Sequence, residues 1–161
     1  MLRYLPRSYG SPTGAAASVP GMADLCVFCE IVAGRMESSV VHDDDRVLAF
    51  MDLNPVSPGH LLVIPKRHGA ALADVDPDDG ARLFRVGQAL AGAVRRTGLR
   101  AEGVNLFLAD GEAAGQEVFH THLHVLPRFA GDGFRLQLTS GSPSRDELDE
   151  VAGRIRAQLA G

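Results

Sequence analysis

Three histidines recur at every second position in the stretch Phe119-His120-Thr121-His122-Leu123-His124-Val125-Leu126. In a β-strand alternate side chains point to opposite faces, so the three imidazoles share one face. The apolar residues Phe119, Leu123 and Val125 share the other face. On an α-helix the middle histidine would point away from its two neighbours. The alternation therefore predicts a strand, extending over 118–128, with one imidazole-lined face.

A row of imidazoles suits two kinds of chemistry. A neutral imidazole attacks phosphorus to form a phosphoramidate, and a neighbouring imidazole, which titrates near pH 6.5, supplies or accepts protons. Imidazole is also a common zinc ligand, so a catalytic metal held by the histidines is the alternative. No carboxylate follows the motif directly, which favours acid–base and nucleophilic histidines. The glycine-containing loop 111–116, just before the motif, allows backbone N–H groups to approach a phosphate closely.

The remainder of the chain predicts one α+β domain with a mainly antiparallel sheet. A length of 161 residues corresponds to about one domain. The predicted elements are helices at 24–34, 76–97 and 142–159 and strands at 40–42, 46–52, 60–65, 104–109 and 118–128. The long central helix is expected to bury Leu83, Phe84, Val86, Leu90 and Val94. Strands and helices do not alternate strictly, which argues against a parallel sheet.

Residues 1–22 differ in composition from the domain at 23–161. The first 21 residues contain two arginines, no acidic residue and many Ser, Pro, Gly and Ala residues. They lack the apolar run of a secretory signal. The composition predicts a disordered extension or a start assigned upstream of a true start at Met22, with an organellar transit peptide as the alternative.

Composition also limits the partners and the compartment. The net charge is −4, and no Lys/Arg-rich run is present, so nucleic acid is not an expected partner. The apolar runs are far shorter than the ~20 residues of a membrane helix, and no membrane association is expected. Two cysteines cannot support a disulfide scaffold, and the cytoplasm is the expected location.

The histidine stretch and two upstream segments together resemble the histidine triad (HIT) family of nucleotide hydrolases and transferases. The similar segments are 47–55 (VLAFMDLNP), 58–68 (PGHLLVIPKRH) and 114–128 (AGQEVFHTHLHVLPR), which occur in the family's order. The resemblance covers about residues 25–135. It implies a compact α+β protomer with a central and a C-terminal helix, and a homodimer whose two sheets join into one.

The resemblance also implies roles for individual residues. His122 is expected to be the nucleophile that takes up a nucleoside monophosphoryl group, most naturally AMP, from a purine nucleotide. His124 is expected to contact the phosphate and help protonate the leaving group, with His60 beside it. The expected nucleotide-binding residues are Val27, Phe28, Ile31, Phe50, Asp52, Leu53, Gln116, Glu117, Val118 and His124. Within this set Asp52 is expected at the ribose, the apolar residues around the base, and 116–118 at the phosphate. By residue type alone, the apolar residues would be core and Gln116 a turn residue.

Two positions depart from the family pattern. Many relatives carry Asn at the position of Ala109, where its amide reaches the phosphate, and Ser or Thr at the position of Glu117. The leaving group therefore stays open among an amine, an acyl group and a second nucleotide. A non-catalytic nucleotide-binding module is a further alternative, and the intact set of three histidines argues against it.

The segment Cys26-Val27-Phe28-Cys29 has the spacing of half a zinc site, although a redox pair or two buried thiols would also fit. Relatives with this CxxC segment, similar to galactose-1-phosphate uridylyltransferase, complete the site with two histidines. The resemblance therefore implies one structural zinc per protomer, with the ligands Cys26, Cys29, His68 and His120. A zinc ion on His120 would anchor the catalytic strand and orient His122. His42 is expected to be exposed.

Overall fold

The computed structural model describes residues 26–135 and 140–159, and the predictions for residues 1–22 lie outside these ranges. The helices are α1 (Val27–Val32), α2 (Pro77–Val94) and α3 (Arg145–Leu159). The strands are β1 (Val40–Asp43), β2 (Val47–Met51), β3 (Leu61–Pro65), β4 (Gly103–Phe107) and β5 (Leu123–Arg128). Two short 3-10 turns lie at Leu72–Asp74 and Glu112–Ala114.

The five strands form one antiparallel sheet in the order β1-β2-β3-β5-β4. This arrangement confirms the prediction of an α+β fold with an antiparallel sheet. The acidic turn between β1 and β2 is closed by Asp44, whose carboxylate accepts hydrogen bonds from the N–H groups of Arg46 and Val47, both at 2.9 Å. Strand β5 lies between β3 and β4, so His124 is paired on both sides within the sheet.

Alternation along the central strands divides the core into two layers. The layer between the sheet and α2 contains Val47, Ala49, Leu61, Val63, Leu123 and Val125 from the sheet. The layer on the α1 side contains Leu48, Phe50, Leu62 and Ile64. Helix α2 packs closely on β5 at Gly87, which has no side chain. A Cβ atom at this position would lie only 2.6 Å from Cδ2 of Leu123. The α2 layer therefore fixes the strand that carries the last histidine.

Helix α2 begins as the sequence predicts, but its buried face is narrower. The Asp76 carboxylate caps the helix by accepting a hydrogen bond from the N–H of Asp78 at 2.9 Å. The buried stripe consists of Leu83, Val86, Leu90 and Val94, with Asp79 and Gly87. The prediction that Phe84 is buried was wrong, since this side chain is 57% exposed. One residue advances about 100° around a helix, which carries Phe84 off the stripe that begins at Leu83.

The predicted strand at 118–128 is shorter in the structure and begins at Leu123. The N–H of Thr121 donates to the carbonyl of Gly69 at 2.7 Å and the N–H of His120 donates to the carbonyl of Val118 at 2.9 Å, so this segment bonds outside the sheet. His120 and His122 thus precede the strand. Phe119, predicted to share a face with Leu123 and Val125, also precedes the strand, and its side chain is exposed whereas theirs are buried.

The C-terminal helix α3 confirms the prediction for 142–159, with a later start. Ser144 and Glu147 form reciprocal hydrogen bonds at its N-terminus, a capping box in which each side chain accepts from the other residue's N–H. None of its described residues is buried. Among the described residues, no helix combines the length and apolar character needed to cross a membrane.

Candidate active site and metal cluster

A cavity of about 770 Å³ opens beside α1 and the start of β5. The predicted catalytic histidines His60, His122 and His124 all line it. Most of the predicted nucleotide-binding residues also line it, namely Val27, Phe28, Ile31, Phe50, Asp52, Leu53, Glu117 and Val118. The structure thus brings together residues from α1, β2, the loop before β3 and the segment before β5.

Several lining residues were not predicted from the sequence. Residues 36–38 enter the wall from the chain between α1 and β1, Phe107 from the end of β4, and Phe134 from the chain after β5. The ring of Phe107 lies 5.8 Å from that of His124. Residues 36–38 and Phe134 belong to no motif, and their place depends on how loops fold back over the sheet. Phe107 could have been predicted from the sequence. Alternation in the predicted strand 104–109 puts it on one face with Ala109, whose position was expected to lie near the phosphate.

His122 is buried, and its Nδ1 lies 2.7 Å from the carbonyl oxygen of His120. A carbonyl only accepts, so Nδ1 carries the proton and donates. In the neutral ring the other nitrogen, Nε2, is the unprotonated one and carries the lone pair that a nucleophile needs. The edge of Phe28 packs against the ring, with centroids 5.3 Å apart, and limits its rotation. A backbone group therefore sets which nitrogen of the neutral His122 ring is unprotonated.

His124 and His60 form a second hydrogen-bonded unit beside His122. The Nε2 atom of His60 lies 2.9 Å from Nδ1 of His124, and the rings of His122 and His124 have centroids 4.8 Å apart. The backbone N–H of Val56 donates to Nδ1 of His60 at 3.3 Å. His60 then carries its proton on Nε2 and donates it to Nδ1 of His124. This arrangement leaves an N–H on Nε2 of His124, a donor for an anionic ligand.

Burial keeps this histidine pair neutral. Burial, reinforced by the neighbouring His122 and His60, lowers the pKa of His124 from 6.5 to about 4. Burial also lowers the pKa of His60, although the Asp52 carboxylate, 3.4 Å from Nδ1 of His60, opposes this. The same carboxylate accepts a hydrogen bond from the N–H of Asn54 at 2.7 Å. Burial therefore favours the uncharged forms of His60 and His124, with one carboxylate at their edge.

Gln116 lies outside the cavity wall, behind the loop 111–116. Its side-chain oxygen accepts from the N–H of Gly111 at 2.7 Å, and its amide nitrogen donates to the carbonyls of Ala70 and Val118 at 2.7 and 3.1 Å. These bonds use both amide hydrogens, so the side chain shapes the loop. Ala109 is buried and likewise lies outside the wall.

All four predicted metal ligands converge on one point. The donor atoms of Cys26, Cys29, His68 and His120 lie within 4.8 Å of one another. The Nδ1 atom of His120 is 3.4 Å from Sγ of Cys26 and 3.7 Å from Sγ of Cys29, and Nδ1 of His68 is 3.4 Å from Sγ of Cys29. A tetrahedral zinc ion with ordinary bond lengths sets sulfur and nitrogen ligands about 3.5 Å apart. The cluster is therefore compatible with zinc.

The surroundings of the cluster also suit a metal. Nε2 of His120 donates to the carbonyl of Pro65 at 2.8 Å, which leaves Nδ1 free to bind, and burial lowers the pKa of this imidazole. Burial, followed by the adjacent Cys26, raises the pKa of the Cys29 thiol to about 11. A cation bound at this position would favour the thiolate form of Cys29, which burial otherwise disfavours. In contrast His42 is half-buried and hydrogen-bonded to Asp44 at 2.8 Å, whereas full exposure was expected.

The fold and the site define a class of protein: an antiparallel α+β domain whose histidine-lined cavity adjoins a Cys₂His₂ cluster. A model of the HIT domain matches residues 33–131. An uncharacterized HIT-like protein of Borreliella burgdorferi is 46% identical over 110 residues, 68% of this chain and 79% of that protein. Protein hit of Bacillus subtilis is 41% identical over 141 residues, 86% of this chain and 97% of its own length. The chain belongs to the HIT family.

Further comparisons concern activity and structure. The adenylylsulfatase HINT3 of Arabidopsis thaliana is 36% identical over 128 residues, which are 79% of this chain and 64% of that protein. A HIT family protein of Bacillus subtilis superposes with a TM-score of 0.80 at 34% identity, covering 85% of this chain and 99% of that structure. A zinc-bound histidine triad protein of Mycobacterium smegmatis superposes with a TM-score of 0.67 at 40% identity, covering 86% of this chain and 97% of that structure. The fold is therefore that of the nucleotide-binding HIT hydrolases and transferases.

The lowered pKa of His124 predicts how stability depends on pH. Between pH 6.5 and about 4 the unfolded chain binds a proton at this position more readily than the folded chain does. The free energy of unfolding therefore falls as the pH falls through this range, and His124→Gln removes that contribution. From pH 7 to pH 4.5 the wild type should lose about 1–3 kcal/mol more than the variant. Urea unfolding of both proteins measures this difference, and parallel losses in the two proteins would contradict the prediction.

Proposed function

We propose that this protein releases a nucleoside monophosphate, AMP in the first instance, from a phosphorus-linked leaving group by way of a nucleotidyl-His122 intermediate. The observation that carries the proposal is the 2.7 Å hydrogen bond from Nδ1 of His122 to the His120 carbonyl. This bond presents an unprotonated Nε2 beside a cavity of nucleotide size. The leaving group is an amine, an acyl group, sulfate or a second nucleotide, and sulfate is included because one relative is named an adenylylsulfatase.

The cavity offers separate places for the parts of a nucleotide. Its apolar wall of Val27, Phe28, Ile31, Phe50 and Leu53 suits a purine base. The Asp52 carboxylate, free to accept further hydrogen bonds, suits the ribose hydroxyls. The N–H on Nε2 of His124 and the backbone at 117–118 suit the phosphate oxygens. This placement sets the α-phosphorus near His122.

The chemistry follows in two steps that together consume one water. First, Nε2 of His122 attacks phosphorus, and the bond to the leaving group breaks with its electron pair. The anionic phosphate favours the protonated form of His124, which can pass its proton to the leaving group. Second, water attacks phosphorus, the N–P bond breaks and AMP leaves. The water supplies its oxygen to AMP and its hydrogen to the products.

Replacing the nucleophile tests this proposal. His122→Ala should lower turnover of adenosine phosphoramidates, acyl-adenylates, adenylyl sulfate and dinucleoside polyphosphates by about 10³-fold or more, because no other group can form the intermediate. His42→Ala, a histidine replacement outside the cavity, serves as the control and should retain activity. The rates come from chromatographic measurement of AMP release, with circular dichroism to verify the fold. A His122→Ala rate within tenfold of the wild type would contradict the mechanism.

We further propose one structural zinc ion per protomer, held by Cys26, Cys29, His68 and His120. The donor set, the spacing of its atoms and the zinc-bound relative support this assignment. When bound, the ion closes a four-ligand site with no open position, so it contributes structure. The alternative was a catalytic zinc on His120, His122 and His124, but His120 lies with the Cys₂His₂ group. The other described group with donor atoms within 4.8 Å of one another is Asp52, His60 and His124, which shares only His124 with the triad. The short contact between His60 and His124 favours a shared proton over a metal at that position.

A matched pair of histidine variants tests the zinc assignment. His68→Ala removes one proposed ligand and should lower the zinc content from about one per chain to near zero, with a fall in unfolding temperature. His42→Ala should retain the metal. Elemental analysis after dialysis gives the zinc content, and calorimetry gives the unfolding temperature. Zinc-free wild type would overturn the assignment, and a second equivalent that persists in His68→Ala would support the catalytic-metal alternative.

We also propose a homodimer, in which two chains pair through the edges of their sheets. The edge strand β1 is interrupted by a register shift between Val40 and His42, which discourages pairing with another chain. The other edge strand, β4, pairs with β5 in unbroken register, so its free edge is regular. We infer that two β4 edges join the sheets. Sedimentation equilibrium should give a mass near twice the 17.1 kDa of one chain, and a mass of one chain at micromolar concentration would exclude the dimer.

A further inference from the structure

The ionisable side chains of the cavity wall are acids and histidines only. The acids are Glu37, Asp52 and Glu117, and the described part of the chain contributes no lysine or arginine to the wall. A substrate phosphate already carries negative charge, and each phosphate added to the leaving group brings more. A site that handles polyphosphates would be expected to offer cations. The negative charge of this wall therefore disfavours leaving groups that carry further phosphates.

The three carboxylates are not equivalent. Asp52 is held by the N–H of Asn54 at 2.7 Å and faces His60 at 3.4 Å. Glu37 and Glu117 are exposed, and within the described ranges neither has a hydrogen bond or an ion pair. Within residues 26–135 and 140–159 their charges thus have no direct partner and are available to a ligand. Glu117 lies between Gly115 and Val118, which also line the cavity, and only five residues before the nucleophile.

Building on the proposed function, we propose that Glu117, assisted by Glu37, selects among substrates by the charge of the leaving group. The site favours AMP linked to a group that keeps a free ammonium, such as a diamine bound through one of its two nitrogens, and disfavours AMP linked to further phosphates. A cationic leaving group gains an attractive partner at Glu117, whereas a polyphosphate meets repulsion there. Because the carboxylate is solvated, the expected discrimination is modest, about three- to tenfold at low ionic strength.

Two adenosine phosphoramidates of equal chain length test this proposal. One carries 1,4-diaminobutane, which leaves a free ammonium, and the other carries 1-aminopentane, which is neutral beyond the P–N bond. The wild-type kcat/KM should favour the diamine by about three- to tenfold at low salt, and high salt should reduce the ratio towards one. Glu117→Gln keeps the size of the side chain and should abolish most of this preference. The same variant should raise kcat/KM for a dinucleoside tetraphosphate by a similar factor.

Glu112→Gln is the matched control, because Glu112 belongs to the same loop and is exposed but does not line the cavity. It should retain the wild-type ratio. An equal ratio in wild type and Glu117→Gln, with both amidates hydrolysed, overturns the charge selection and leaves the proposed function intact. Failure of the wild type to release AMP from any of the substrates overturns the proposed function and this inference with it.

Discussion

The arrangement of the site depends on how the segment before β5 is held, and His120 is the residue that holds it. Its ring bonds to the carbonyl of Pro65 at the end of β3, while its own carbonyl orients His122. The neighbouring N–H of Thr121 bonds to Gly69. Each of these bonds satisfies a buried polar group that would otherwise destabilise the fold. The segment is therefore fixed without sheet pairing, which frees its side chains for the cavity and the metal cluster.

Burial has a chemical consequence here as well as a structural one. Imidazoles at the surface would be partly protonated at neutral pH, and a protonated imidazole neither attacks phosphorus nor binds zinc. In this protein burial lowers the pKa of His60, His120 and His124. For these three residues the preference for the neutral state is thus a property of packing within the core. The proton positions are then assigned by fixed acceptors and donors of the backbone.

Much of this organisation was predictable from the sequence, and the exceptions have physical causes. Alternation identified β5 and the shared face of His122 and His124, since burial of Leu123 and Val125 under α2 requires it. Alternation could not show that His120 and His122 precede the strand, because the N–H of Thr121 between them bonds to Gly69 in a loop distant in sequence. Spacing placed Phe84 in the core, although the stripe of α2 is too narrow to include it. Residues 36–38 reach the cavity through loop packing, which leaves no periodic signal.

The link between the cluster and the nucleophile runs through a main-chain carbonyl, and this has an evolutionary consequence. Every residue type carries that carbonyl, so the hydrogen bond to His122 does not itself require histidine at position 120. Any side chain that anchors this short segment equally well could take over, by packing or by a hydrogen bond to the end of β3. Lineages can therefore gain or lose the cysteines and the first histidine while the histidine at the position of His122 keeps its orientation. The Cys₂His₂ group and the orientation of His122 are thus separable features that share one residue.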